Sequence, residues 1–202
     1  MLVPVKELTR GVSNPQEREV QVFNRIGRYL KKVPRLAQRF EWQRMPSSIH
    51  VYSDSDYAGC RRTRKSTSGI AIMIGNHCLI TRSKNQSVIA LSSGEAELYA
   101  AVLGCSMGIG VRQMYEYLGV AMKVRVYMDA MAGIAILNRQ GLGTVKHVAT
   151  QYLWCQELVQ NKEVELRKVQ TTENYADLMT KSLAETPMNY LLSRMGFEVP
   201  TT

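Results

Sequence analysis

At Ile49 the hydrophobic pattern changes period, and the order of elements that follows limits the chain to few folds. Ile49, Val51 and Ser53 alternate with His50, Tyr52 and Asp54, the period of two that marks a strand with two unlike faces. Ile70–Ile74 and Cys78–Arg82 read as two more strands, joined by Gly75-Asn76 as a hairpin turn. A short extended piece, 87–91, then leads to a helix capped by Ser92, with Glu95 completing a capping box. Gly104, Gly108 and Gly110 interrupt that helix, and each costs about 1 kcal/mol relative to alanine, so a break or bend is expected there.

Lys123–Met128 is β-rich and ends at Asp129, 130–138 is helical, 147–160 is a further helix and 163–169 a further strand. Thr171-Thr172 is expected to cap a helix running to about Leu183, and Thr186-Pro187 to start the last one. The order β-β-β-α-β-α-α-β-α-α specifies an α/β fold, a mixed sheet flanked by helices. Ahead of it, 14–33 reads as an amphipathic helix. Asn14 is its expected cap, Pro15 its first residue and Glu17 its capping-box partner, with an apolar stripe of Val22, Phe23, Ile26, Leu30 and Val33. The segment between Pro34 and Pro46 has no readable pattern. Pro46-Ser47-Ser48 is the expected boundary between an N-terminal helical segment, 1–46, and the main domain, 47–202.

Four acidic residues fall where this layout gathers side chains. Asp54 and Asp129 end two strands that emerge at one sheet edge if they are parallel neighbours. Glu97 and Asp177 lie near helix starts. Converging carboxylates repel unless cations neutralise them, and hard divalent ions prefer such oxygen ligands. Glu95 competes with Glu97, but residues two apart on a helix point about 200° apart. The capping box occupies Glu95, leaving Glu97 for the site. Each acid also has a local reading: an Asx turn at Asp54, a solvated helix position at Glu97, a cap at Asp129, an i,i+4 pair of Asp177 with Lys181.

A net charge of +9 favours a polyanionic partner. Arg61, Arg62, Arg64 and Lys65 follow the first strand of the main domain, as candidate phosphate contacts or as a solvated charge run. The four cysteines are far apart and lack metal-ligand spacing, so reduced, buried thiols are expected. No apolar run approaches the roughly 20 residues that span a bilayer. Residues 1–10 lack the pattern of a signal peptide. An intracellular location, cytoplasmic or nuclear, with no membrane partner is the expectation.

Several motifs occur in a fixed order: Tyr52-Ser53-Asp54-Ser55-Asp56-Tyr57-Ala58-Gly59, Thr63-Arg64-Lys65-Ser66-Thr67-Ser68-Gly69, Ser83-Lys84-Asn85-Gln86, Ala90-Leu91-Ser92-Ser93-Gly94-Glu95-Ala96-Glu97 and Ala176-Asp177-Leu178-Met179-Thr180-Lys181. In sequence and separation they resemble the ribonuclease H domain of copia-type LTR-retrotransposon Pol polyproteins. Ser13-Asn14-Pro15 and Arg28-Tyr29-Leu30-Lys31 resemble the end of the reverse transcriptase that precedes it. The resemblance implies a ribonuclease H-like five-stranded mixed sheet. It also implies two Mg²⁺ ions, replaceable by Mn²⁺, on Asp54, Glu97, Asp129 and Asp177. The implied reaction is endonucleolytic cleavage of the RNA strand of an RNA–DNA hybrid, with a reverse transcriptase domain as partner in cis or in trans.

Three positions depart from the family pattern. Ala130 stands where Asn or Ser is usual, Tyr57 replaces Trp, and the basic, histidine-rich pattern over 141–147 is thinned to Lys146-His147. Tyr127-Met128-Asp129-Ala130 lacks the second aspartate of a polymerase Tyr-x-Asp-Asp signature, so polymerase activity is not expected. Two other readings stay open: a decayed or domesticated domain that binds nucleic acid or supports a polymerase without cutting, and a DNA-directed or integrase-like nuclease.

Overall fold

The computed structural model describes residues 2–9, 11–60, 62–139, 141 and 151–200. Elements run α1 (Leu2–Thr9), α2 (Glu17–Lys32), β1 (Ala37–Gln38), β2 (Ser48–Asp56), β3 (Thr67–Ile74), β4 (His77–Asn85), α3 (Ser93–Tyr117), β5 (Lys123–Met128), α4 (Met131–Asn138), α5 (Gln151–Gln160), β6 (Val164–Lys168), a 3₁₀ turn (Thr171–Glu173), α6 (Asp177–Thr180), α7 (Glu185–Arg194) and β7 (Phe197–Glu198). The main sheet has the order β4-β3-β2-β5-β6. β2, β3 and β4 pair antiparallel, whereas β2–β5 and β5–β6 are parallel. This is the mixed five-stranded, helix-flanked sheet implied by three hairpin-linked strands followed by α/β alternation. Among the described residues no helix is long and apolar enough to cross a membrane.

The alternation along β2 divides two cores. Ile49 and Val51 pack with Ile70 and Ile72 of β3, Val124 and Val126 of β5, and Leu98 and Cys105 of α3. Tyr52 faces the opposite layer, where Ala71, Met73, Tyr175, Met179, Leu191 and Met195 cluster. All four cysteines are buried free thiols.

Several sequence expectations are corrected. Helix α3 runs unbroken through its glycines over 25 residues. Gly108 lies directly against the sheet, so close that a Cβ there would sit 2.8 Å from Val51 Cγ2 and 2.9 Å from Val124 Cγ1. Its role is close helix–sheet contact rather than a bend. Residues 87–91 form no strand, and Val88, Ile89 and Leu91 are exposed. The helix expected from Thr171 to Leu183 is a 3₁₀ turn and then a single α-turn. Buried Asn174 separates the two, its Nδ2 donating to Ser53 O (3.2 Å) and its Oδ1 accepting from Ala176 N–H (3.2 Å). A side chain that ties its own backbone in this way competes with helix continuation.

Helix α2 starts at Glu17, two residues late, with Glu19 rather than Glu17 accepting the Gln16 N–H (3.0 Å). Its stripe is only partly covered: Phe23 and Leu30 are at least half exposed, whereas Val22, Ile26 and Val33 are partly buried. Helix α7 is capped at Ala184, not Thr186. The unread segment before Pro46 crosses the β3–β4 hairpin: Gln43 Nε2 donates to Ile74 O (2.8 Å), and β1 pairs with β7.

Candidate active site

β2 and β5 run parallel with Tyr52 opposite Tyr127, so Asp54 and Asp129, each two residues further on, lie together just past the end of that ladder, although β2 itself runs on to Asp56 rather than ending at Asp54 as expected. Asp177 opens the single turn α6, held against that end by Asn174 on Ser53 O. Gly69, opposite Asp54 on β3, makes the approach possible. A Cβ at Gly69 would lie 2.6 Å from Thr180 Cγ2 and 2.7 Å from Ala176 O. Carboxylate oxygens of Asp54, Asp129 and Asp177 consequently lie within 4.8 Å of one another.

Glu97 reaches the same end of the sheet from the α3 layer. Its Oε1 accepts from Ser55 N–H (3.2 Å) and Ser55 Oγ (2.8 Å), while its Oε2 is buried and has no hydrogen-bond partner among the described residues. Three of the four expected acids therefore form one cluster, with Glu97 beside it. Glu95 occupies the cap, accepting from Leu91 N–H (2.9 Å) and from the Tyr99 hydroxyl, while Ser92 Oγ accepts from Glu95 N–H (3.2 Å).

Burial and the crowding of like charges both raise the pKa values of these groups. Burial first, then the charge of Asp54, pushes the Glu97 carboxyl up to about 8, against the Ser55 hydrogen bonds. Burial and Asp54 likewise raise Asp177 to about 6, although Lys181 opposes the shift. Lys181 Nζ lies 2.9 Å from Asp177 Oδ1 and 3.3 Å from Asp54 Oδ1, and Thr180 Oγ donates to Asp54 Oδ2. Burial disfavours the ammonium, but the two aspartates outweigh it and raise its pKa.

Sequence reading found the Lys181–Asp177 pair but not the reach of Lys181 and Thr180 to Asp54. Nor did it find Ser55 as the partner of Glu97 or Asn174 as the brace. Thr180 and Lys181 end the quoted Ala176–Lys181 motif, which was the one available signal for them.

The basic residues after β2 divide. Arg62 and Arg64 are exposed, whereas Lys65 Nζ donates to Ser87 O (2.5 Å). Arg61 lies outside the described residues, as do Lys146 and His147. The loop carrying Arg62, Arg64 and Lys65 joins Asp56 to Thr67, two residues from Asp54 and its partner Gly69, so it rises from the acidic edge. Ala130 is the N-cap of α4 and supplies no capping side chain.

No family model matches the chain. Over 195 residues it is 28% identical to the retrovirus-related Pol polyprotein from transposon RE1 of Arabidopsis thaliana, covering 95% of this chain and 13% of that polyprotein. Over 132 residues it is 33% identical to the corresponding polyprotein from transposon TNT 1-94 of Nicotiana tabacum, covering 64% and 10%. The chain thus spans roughly a tenth of the length of these curated relatives. Similar solved structures include LC11-RNase H1 isolated from compost, with a TM-score of 0.49, 14% identity and coverage of 66% of this chain and 93% of that one. Another is the N-terminal RNase H domain of a Mycobacterium tuberculosis protein, at 0.48, 14%, 73% and 97%. The ordered motifs and these relatives together make the chain a homologue of one segment of the copia-type retrotransposon Pol polyproteins.

Proposed function

We propose that this chain is a metal-dependent endonuclease that hydrolyses the RNA strand of RNA–DNA hybrids during retrotransposon reverse transcription. The observation that carries the reading is the carboxylate cluster of Asp54, Asp129 and Asp177, with Glu97 beside it presenting a buried oxygen that has no hydrogen-bond partner among the described residues. An all-oxygen set of this kind fits hard divalent ions, Mg²⁺ first and Mn²⁺ as its substitute. Asp54, Asp129 and Asp177 would hold them, with Glu97 completing the set. Two such ions supply an activated water and stabilise the leaving oxygen of a phosphodiester.

The chain's own residues position the acids. Ser55 orients Glu97, Asn174 braces the Asp177 turn on β2, and Thr180 fixes one oxygen of Asp54. Arg61, Arg62, Arg64 and Lys65 are proposed to steer the hybrid's phosphates toward this edge; Lys65 is additionally anchored to Ser87. Residues 47–202 form the proposed nuclease, and 1–46 its junction with a reverse transcriptase domain, in cis or in trans. The exposed Val20, Phe23 and Leu30 of α2 support such a neighbour.

The test is incubation with Mg²⁺ and labelled RNA–DNA hybrid, duplex DNA and duplex RNA in parallel. Cutting confined to the RNA of the hybrid, leaving 3′-hydroxyl ends, is expected. Cutting of duplex DNA instead would favour a DNA-directed enzyme, and hybrid binding without cutting would favour a non-catalytic domain.

A further inference from the structure

The acidic pocket already contains a cation. Lys181 Nζ sits against Asp54 Oδ1 and Asp177 Oδ1, two of the three aspartates in the cluster. The acids are almost wholly buried, with side chains 2% and 7% exposed, whereas that of Lys181 is 38% exposed. Lys181 therefore stands on the solvent side of the two buried acids, with its Nζ in contact with both. Its backbone is fixed, because Lys181 N–H donates to Asp177 O at 2.9 Å and closes the α6 turn. The four-carbon side chain retains the rotatable bonds needed to swing out.

We propose that Lys181 is a resident counter-ion of the metal-free pocket, which holds the aspartates together and must give up its contacts when divalent ions bind. The inference rests on the reading of these acids as metal ligands. Three carboxylates within 4.8 Å repel one another strongly, and among the described residues Lys181 is the cation in contact with two of them. Divalent ions compete for the same oxygens, so Lys181 lowers metal affinity while stabilising the empty site. It is a positioning residue: its contacts are with the acids, and its effect is on how readily they load.

The experiment is calorimetric titration of the full chain with Mg²⁺ and with Ca²⁺ at low salt, for wild type, Lys181→Met, Lys181→Gln and Lys181→Arg. Melting of each in EDTA and in excess Mg²⁺ is recorded alongside. Removing the ammonium is expected to tighten metal binding about three- to tenfold, the scale of one partly exposed ion-pair network. Met and Gln variants should also melt earlier in EDTA and gain more from Mg²⁺ than wild type. The Arg variant, which keeps the charge, should bind metal no more tightly than wild type.

The Gln variant serves if the Met variant does not fold without metal, and both are prepared in Mg²⁺. Equal or weaker binding by the Met and Gln variants, with wild type still binding, would overturn the role of Lys181 and leave the metal reading standing. Absence of binding by every form would overturn both.

Discussion

Gly108→Ala and Gly110→Ala, two residues apart on α3, test whether the glycines of this helix serve its approach to the sheet. Alanine in a helix interior is favoured over glycine by about 1 kcal/mol, and that gain applies at both positions. At Gly110 a Cβ meets nothing within 4 Å, so the gain should appear almost in full. At Gly108 the Cβ would lie 2.8 Å from Val51 Cγ2 and 2.9 Å from Val124 Cγ1. Both valines are fully buried and stiff about χ1, so neither methyl yields cheaply. Overpacking costs about 1–3 kcal/mol, and contacts under 3.0 Å with two stiff methyls at once place Gly108 in the upper part of that range, about 2–3 kcal/mol. Gly108→Ala should therefore lose about 1–2 kcal/mol net, and the two variants should differ by about 2–3 kcal/mol. For a chain of this size that is a separation of roughly 4–12 °C in Tm. Urea unfolding followed by circular dichroism, with m-values compared to confirm a common transition, measures it. Equal stability of the two variants would refute the packing argument.

Three further outcomes follow from the site. Glu97 and Asp177 carry raised pKa values, about 8 and about 6, so the metal-free folded chain holds protons that the unfolded chain has released. Their contribution is complete below the unfolded values near 4 and is lost as pH rises through the folded ones, so the Tm in EDTA should fall between pH 5 and 8. Glu97→Gln should flatten that fall, and a wild-type-minus-variant profile without slope would reject the assignment. Ala130→Ser should stabilise the chain by about 1 kcal/mol, since it supplies the oxygen that the N-cap of α4 lacks; an unchanged or lower denaturation midpoint would count against it. Replacing Arg62 and Arg64 together by Ala should weaken hybrid binding and reduce its salt dependence, read by fluorescence anisotropy across a KCl series. Identical slopes would remove these residues from the interface.

Much of the architecture was legible because it rests on local chemistry. The hairpin at Gly75-Asn76, the end of β5 at Asp129 and the Ser92 cap each follow from residues adjacent in sequence. What sequence did not reveal depends on distant partners. Gly108 looked like a helix breaker because Val51 and Val124 are invisible from its neighbours. The short turn at Asp177 depends on Asn174 finding Ser53 O across the fold, and β1 is ordered by β7 at the far end of the chain. The acids show the same division. Strand ends announced Asp54 and Asp129, and capping logic separated Glu97 from Glu95. The encirclement of Asp54 by Thr180 and Lys181 emerges only when α6 folds back over Gly69.

The most direct measurement of the central claim compares wild type with Asp54→Asn on an RNA–DNA hybrid in Mg²⁺, with hybrid affinity measured in parallel. Loss of one carboxylate from the cluster should abolish cutting, by a hundredfold or more on the order expected when a group essential to transition-state stabilisation is removed, while binding persists. Asp54→Asn that cuts as fast as wild type, or wild-type cutting that continues undiminished in excess EDTA, would contradict it.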